Sequence, residues 1–183
     1  MSIIENKKPL FFGVKDGEIF KIGDMEFIKF PSKNGKTPVV MKDIAFRSTF
    51  GDNNNLKDSK ILRRMEEEIL PKIIAAIGED NVCTFETDLT TLDGLKPYGY
   101  LESRISLPTL DFYRTNTEIF DMHNPGCWWW LATPESARPH DDPYWVLCVS
   151  PSGCIDYIDC FSNDLGVRPF CILNSSIFES FEE

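Results

Sequence analysis

Short apolar-rich segments separated by turn residues in the first forty residues predict a small antiparallel sheet. Residues 18–22 and 25–30 are two such segments, and Gly23-Asp24 between them is typical of a tight hairpin turn. A second turn at Asn34-Gly35 precedes residues 38–41, which are rich in apolar and β-branched side chains. These three segments together predict an N-terminal β-meander.

The apolar spacing becomes helical after the polar loop at residues 50–55. Asp58 or Ser59 can accept the first free backbone N–H groups of a helix and so cap it. Pro71 either ends or kinks that helix, or begins a second one, and Gly78 stops it. The apolar residues at helical spacing are Ile61, Leu62, Met65 and Ile69.

Weaker signals occupy the segment that follows. Residues 82–85 predict a short strand, and residues 88–99 contain turn residues that predict a loop. Pro108 suits the first position of a helix, which we expect to continue through Tyr113.

The last third of the chain has the densest run of aromatic and β-branched residues. Residues 128–131, 144–149 and 155–158 predict short strands around tight turns. Pro151 and Gly153 fit the first and the left-handed positions of a three-residue hairpin loop with a bulge. The sequence therefore predicts a compact, tightly turned sheet here.

The register of this hairpin bears on its two cysteines. It places Ser150 opposite Cys154 and Cys148 opposite Asp156. Cys148 and Cys154 then lie on one face only as diagonal neighbours, which are too far apart for an unstrained disulfide. We therefore expect no disulfide between them.

Two features of this region are candidates for buried or binding side chains. Because side chains alternate along a strand, Trp128, Trp129 and Trp130 cannot all face one side, and at least one faces outward or into a cleft. Arg168 lies between a β-branched residue and a proline on the predicted last strand. We expect it to be buried, to bond carboxylates or carbonyls, and to brace a loop end.

Charge is distributed unevenly along the 183 residues, which form one domain or one domain with an appendage. Residues 1–91 carry 14 basic and 15 acidic side chains, whereas residues 92–183 carry 5 and 14, so most of the net charge of −10 lies in the second half. Such a surface repels nucleic acids and anionic membranes and attracts basic partners. It equally serves simply to keep a protein soluble.

The cysteines and histidines do not form a metal-binding motif. No two of the six cysteines are spaced as in a zinc site, and the histidines are only His123 and His140. The first residues carry no apolar signal segment, which leads us to expect a cytoplasmic protein with buried, reduced thiols. No nucleotide-binding or metalloprotease motif occurs, so we expect no enzyme, no metal and no cofactor.

Several segments together resemble an uncharacterised domain family of gut bacteria and their phages. The segments are Phe50-Gly51 with Asn53-Asn54, residues 59–63, Asp93-Gly94, residues 107–113, Trp129-Trp130-Leu131 with Pro134, residues 146–153, Gly166-Val167-Arg168-Pro169 and Leu173. That family is similar in turn to C-type-lectin-like and formylglycine-generating-enzyme-like folds. The resemblance implies an α+β fold with short twisted antiparallel sheets, two or three helices and long loops.

The chain also departs from these relatives. Ala132-Thr133 stands where the family usually has Arg-Ser, and the Glu-Pro-Asn and Gln-Pro-Asp loops of calcium-binding lectins are absent. Residues 161–164 resemble their Trp-Asn-Asp strand only faintly, because one carboxylate and one amide cannot supply a calcium shell. Calcium-dependent glycan binding is therefore disfavoured. No cysteine pair matches that of the formylglycine-generating enzymes.

We divide the chain into a β-meander at residues 1–48 and a C-type-lectin-like domain at residues 49–183, expected to form one compact unit. The loop at residues 134–143 is the first candidate for a contact surface, because rigid scaffolds commonly present functional loops. The predicted partner-binding residues are Trp128, His140, Asp141, Asp142, Asp156, Asp159 and Asp164.

The expected function is that of a non-enzymatic binding protein, encoded by a phage or prophage, that recognises a protein partner through its loops. One alternative is a small acidic inhibitor of a host defence nuclease, of the anti-CRISPR type, whose carboxylates stand in for phosphates. A second alternative is a structural or receptor-binding component of a phage particle. A third, an oxidase related to the formylglycine-generating fold, would require copper or calcium.

Overall fold

The computed structural model describes residues 8–139 and 143–179, which form an α+β fold with three sheets. The strands are β1 (Ile19–Ile22), β2 (Met25–Lys29), β3 (Lys36–Met41), β4 (Phe46–Ser48), β5 (Phe85–Asp88), β6 (Tyr100–Ser103), β7 (Trp129–Pro134), β8 (Trp145–Val149), β9 (Ile155–Asp159), β10 (Leu165–Val167) and β11 (Phe170–Asn174). The helices are α1 (Lys60–Arg64), α2 (Leu70–Ile77), α3 (Leu110–Thr115) and α4 (Thr117–Met122).

The first sheet joins the two ends of the chain. Its order is β1-β2-β3-β11, and all of its pairs are antiparallel. The predicted hairpin forms with Ile22 opposite Met25, and Gly23 adopts a φ of 61°, which favours glycine. On the far side of β3, Phe170 pairs with Val40, so a C-terminal strand completes the N-terminal meander.

The second sheet has the order β4-β10-β7-β8-β9. All its neighbours are antiparallel except β10 and β7, where Gly166 lies opposite Trp129 in a parallel pair. The hairpin between β8 and β9 is confirmed, with Cys148 opposite Asp156 and Gly153 at a φ of 86°. The prediction that Arg168 lies on the last strand is wrong. It lies in the turn between β10 and β11.

The predicted helix begins as expected, since the Ser59 side chain accepts a hydrogen bond from the Leu62 N–H. α1 continues through a π-helical turn (Met65–Ile69) into α2, and Pro71 lies at the start of α2. Proline has no N–H to donate to the preceding turn, and the wider π turn accommodates this without ending the helix. Gly78 then ends α2 with a φ of 89°.

Two boundaries in the middle of the chain differ from the prediction. The strand expected at residues 82–85 begins only at Phe85, and Val82 instead forms a single bridge to Leu173. The helix expected to start at Pro108 starts at Leu110, because the Thr109 hydroxyl accepts the Phe112 N–H and caps it. β5 and β6 form a separate two-stranded sheet.

Two apolar clusters cover opposite faces of the second sheet. Trp130 and Cys148 belong to the larger cluster, with α1 and α2, whereas Trp129 and Leu147 belong to the smaller one, with α3 and α4. Both tryptophans are therefore buried although they point in opposite directions.

Among the described residues, no helix is both long enough and apolar enough to span a lipid bilayer.

Candidate functional site

Exposed apolar side chains lie on β9, on the adjoining end of β8 and just beyond the end of β9. Trp145, Ile155, Tyr157 and Phe161 keep 40%, 39%, 53% and 53% of their surface exposed, and we call these four residues the β9 surface. Large side chains exposed together are less common than large side chains exposed singly, and they are typical of contact sites. Strand β9 therefore presents the best candidate for a binding surface in the described chain.

The strand register explains why these side chains meet. Leu147 lies opposite Tyr157 and Trp145 lies opposite Asp159, so the Trp145 and Tyr157 side chains share one face as diagonal neighbours. Their rings are 5.8 Å apart between centroids, in a T-shaped arrangement. Beyond the end of β9, the Phe161 ring contacts Tyr144 at 5.3 Å in the same geometry. Tryptophan and tyrosine in such positions frequently anchor protein interfaces.

The strand itself carries negative charge. Asp156 and Asp159 lie on β9, and the sequence between Arg138 and Arg168 has neither lysine nor arginine. Arg168 is fully buried, so it contributes no cation to this surface. The β9 surface therefore combines exposed aromatic rings with negative charge.

The two carboxylates on β9 differ in their hydrogen bonds. Asp156 is exposed, and one of its oxygens accepts the Tyr157 N–H at 2.8 Å. Asp159 holds the following turn, because it accepts the Phe161 and Ser162 N–H groups at 3.2 Å and 2.7 Å. Burial acts to raise the pKa of Asp159, but the hydrogen bonds from Ser162 and Phe161 outweigh it and the pKa is lowered.

A single buried asparagine holds both ends of the neighbouring loop. The Asn54 Nδ2 donates to the Ser136 carbonyl at 2.7 Å and to the Trp145 carbonyl at 3.2 Å. The Asn54 N–H bonds the Pro143 carbonyl, and its Oδ1 accepts the Tyr98 hydroxyl at 2.7 Å. The loop predicted as a contact surface is thus anchored next to Trp145.

Asp93 adds a second anchor at the start of this loop. Its Oδ2 accepts hydrogen bonds from the Ser136 hydroxyl at 2.9 Å and from the Arg138 Nε at 3.0 Å. The hydrogen bond from Thr91, together with those from Ser136 and Arg138, lowers the pKa of Asp93. The carboxylate is therefore charged at neutral pH and fixes the entry to the loop.

Replacing Asn54 with alanine is expected to lower the free energy of unfolding by about 2 kcal/mol, because buried carbonyl and hydroxyl groups lose their partners. Chemical denaturation measures the loss, and amide exchange is expected to quicken at residues near Ser136 and Trp145. Asn53→Ala is the matched control, since the side chain of Asn53 is only half-buried and bonds locally. Equal losses for both variants would contradict the anchoring role.

The structure separates the predicted partner-binding residues. Trp128 is 37% exposed and lies beside the β8–β9 turn, at the end of the sheet opposite Trp145. Asp164 directly precedes β10, and its carbonyl accepts a hydrogen bond from the Nη2 of Arg47 of β4 at 2.9 Å, while the adjacent Asn163 bonds the Asp159 carboxylate. Of the predicted set, Asp156 and Asp159 lie on β9. His140, Asp141 and Asp142 lie outside the described residues.

Arg168 has the structural contacts that its position predicts. Its Nε donates to the Met41 carbonyl at 3.1 Å, and its Nη2 donates to the Lys42 and His123 carbonyls at 3.0 Å and 3.3 Å. The guanidinium also lies 4.7 Å from the centre of the Trp129 ring. Burial lowers the pKa of Arg168 to about 10, so it remains a cation at neutral pH.

The expectation of buried thiols is correct for three of the six cysteines; Cys83 and Cys127 are half-buried, and one cysteine is exposed. Cys148, Cys160 and Cys171 are buried, and burial raises the pKa of Cys148 and Cys171 to about 12. Cys154 is exposed, because it follows the β8–β9 turn at the rim of the sheet.

A shallow cleft of about 270 Å³ lies between α3 and the loop after β5. Threonines and one exposed ion pair, Asp111 with Arg114, line it, and its lining contains no histidine, cysteine or lysine. In residues 8–139 and 143–179, no three histidine, cysteine, aspartate or glutamate side chains come together as a metal-binding cluster.

Sequence reasoning missed Trp145, Tyr157 and Phe161 as binding candidates. The available signal was the odd-numbered apolar stripe Ile155, Tyr157 and Phe161 beside an unusually aspartate-rich segment. It does not reveal that β9 is an edge strand, which depends on the strand order.

Comparison of the chain with protein-family models, with the curated proteins and with the solved structures found no match. The family resemblance therefore stays a prediction.

Proposed function

We propose that this protein acts by binding a protein partner, and that the β9 surface contacts a basic region of that partner. The observation that carries the proposal is the exposed Trp145–Tyr157 pair, which spans β8 and the edge strand β9 within a segment free of lysine and arginine. The rings supply apolar contact area, and the aspartates around them favour a cationic counterpart. Asn54 fixes the Trp145 carbonyl at the border of this surface.

We also propose that the protein is not an enzyme. The proposal rests on the contrast between the exposed aromatic surface and the cleft beside α3, where the Thr90 hydroxyl donates to Asp88 at 2.6 Å but no histidine, cysteine or lysine lines the wall. The proposed activity therefore consists of recognition alone, with no cofactor.

The scaffold and origin are also part of the proposal. We propose a C-type-lectin-like scaffold, supported by the presence in one sheet of the tryptophan-bearing β7, the glycine-turned β8–β9 hairpin and β10, which leads into Arg168. A phage or prophage origin, with the protein in the bacterial cytoplasm or in a phage particle, follows from the family resemblance. Neighbouring genes test it: tail genes would favour the particle.

The test compares capture of host proteins by the wild-type chain and by the double variant Trp145→Ser with Tyr157→Ser. We expect the double variant to lose at least about tenfold in affinity for the specific partner, since buried aromatic anchors each contribute about 2 kcal/mol or more. Isothermal titration with the identified partner measures this loss.

Tyr100→Ser is the matched control, because Tyr100 is 57% exposed on β6, which belongs to a different sheet. It is expected to bind like the wild type. Retention of full affinity by the double variant, or an acidic partner surface, would overturn the proposal.

The acidic inhibitor is the second candidate, and the excess of acidic residues after residue 92 favours it. Phosphate mimicry predicts an affinity that falls steeply with salt, whereas an aromatic-anchored interface responds weakly. Asp156 and Asp159 lie on opposite faces of β9 and so do not form one phosphate-like cluster, which supports the aromatic interface as the first choice.

A further inference from the structure

The outer edge of β9 differs from the other edges of the two larger sheets. The outer side of β11 is bridged by Val82 and by Ser106, and α2 lies against β1. β4 is an edge of only three residues. β9 has five residues, and no strand among the described residues pairs with its outer side. Long uncovered edges are ready templates for another strand.

The register shows which backbone groups face outward. Towards β8, the Cys154 carbonyl accepts the Ser150 N–H at 2.8 Å, and the Cys160 N–H donates to the Tyr144 carbonyl at 2.8 Å. Even-numbered residues of β9 therefore face β8. Because the direction alternates along a strand, the backbone groups of the odd-numbered residues point away from the sheet. These residues are Ile155, Tyr157 and Asp159.

Charge distinguishes the two classes of strand that this edge could accept. Antiparallel pairing with a second copy, centred on Tyr157, would place Asp156 opposite Ile158 and Asp159 opposite Ile155 of that copy. The two Asp156 carboxylates would then be diagonal neighbours on one face with no basic side chain beside them, and like charges close together across a ladder are destabilising. A segment that carries lysine or arginine opposite Asp156 instead places unlike charges across this position.

We propose that β9 is the docking edge for an extended, lysine- or arginine-bearing segment of the protein partner, which adds to the second sheet as a sixth strand. This inference rests on the proposed function and names the mode of contact. On one face of the added strand, apolar residues meet Ile155 and Tyr157. On the other face, a basic residue pairs with Asp156. In the free chain the Asp156 carboxylate accepts the Tyr157 N–H, and this pairing frees that N–H for the added strand.

The probe is an octapeptide of alternating lysine and valine, blocked at both ends. Three versions carry N-methyl groups on the valines, on the lysines, or on both, which removes the N–H donors of one edge, the other edge, or both edges. Affinities for the full chain are measured by titration at low salt. A matched octapeptide with glutamate in place of lysine tests the charge requirement.

We expect the unmethylated peptide and one half-methylated peptide to bind within about threefold of each other, since the strand uses a single edge. The fully methylated peptide is expected to lose at least about tenfold, because two or more net hydrogen bonds disappear. Amide exchange at Ile155 and Asp159 is expected to slow when the unmethylated peptide binds. The Asp156→Lys variant is expected not to bind the lysine peptide, and the wild-type chain is expected not to bind the glutamate peptide.

Equal affinity of the fully methylated peptide would overturn strand addition while leaving a side-chain interface at the β9 surface intact. Absence of binding at millimolar peptide, or binding of the glutamate peptide, would also overturn it. Self-association of the chain with slowed exchange at Ile155 and Asp159 would identify a second copy as the occupant instead. Failure of the proposed function is a separate result. It would be shown by full affinity of the Trp145→Ser and Tyr157→Ser double variant for the natural partner.

Discussion

The Arg168→Ala variant is expected to lose about 4 kcal/mol in the free energy of unfolding. Alanine leaves a cavity where the largest fully buried cation of the described core now lies, and the Met41, Lys42 and His123 carbonyls lose their donor. The contact with the Trp129 ring is lost as well. Urea denaturation followed by tryptophan fluorescence measures the change.

Arg168→Met separates the two contributions, since methionine fills most of the volume but donates no hydrogen bond. We expect Arg168→Met to lose about half as much as Arg168→Ala, because the carbonyls still lose their donor while the cost of burying a charge disappears. A loss below about 1 kcal/mol for Arg168→Ala would show that the guanidinium does not hold the loops together. Arg63→Ala is a control at an exposed arginine on α1.

Gly166→Val is expected to lower the free energy of unfolding by about 3 kcal/mol through overpacking. A Cβ atom at this position would lie 2.5 Å from the Ile44 Cδ1 and 3.1 Å from its Cγ2. The three nearest atoms all belong to the Ile44 side chain, and Gly166 is held between β4 and β7, so Ile44 must turn away before a larger residue fits. Gly166→Ala is expected to lose about half as much. Thermal and urea unfolding measure both.

The double variant Gly166→Val with Ile44→Ala tests the cause. If the collision is with Ile44, the double variant is expected to be more stable than the sum of the two single losses predicts, by at least about 1 kcal/mol. Simple additivity would contradict this explanation. Gly94 lies in an open turn with a φ of 87°. Any loss of stability in Gly94→Ala would therefore come from the backbone conformation and not from a contact, which gives a comparison.

Local signals predicted the elements that depend on local chemistry. The Gly23 and Gly153 turns, the Ser59 cap and the Gly78 stop each follow from the conformation or hydrogen bonding of one residue. The pairing of β11 with β3, and the parallel contact of β10 with β7, depend on packing between distant segments. No periodicity in the sequence encodes such neighbours.

The same distinction applies to the candidate site. Burial of Arg168 follows from its β-branched and proline neighbours, but its carbonyl partners come from distant segments at Met41 and His123. Exposure of Tyr157 depends on β9 being outermost, and the aspartates seemed in sequence to form one set although Asp156 and Asp159 lie on opposite faces of β9. Side-chain chemistry was thus predictable, whereas proximity was not.

The position of β11 beside β3 has a consequence for biosynthesis. Residues 19–41 emerge from the ribosome and can form their three strands early. Val40 of β3 can pair with Phe170 of β11 only after almost the whole chain has been made. During translation β3 is therefore an unpaired apolar edge strand. In nascent chains that stall before residue 170, this edge can pair with the same edge of another chain. Such stalled chains are expected to be the form of this protein that aggregates and recruits chaperones.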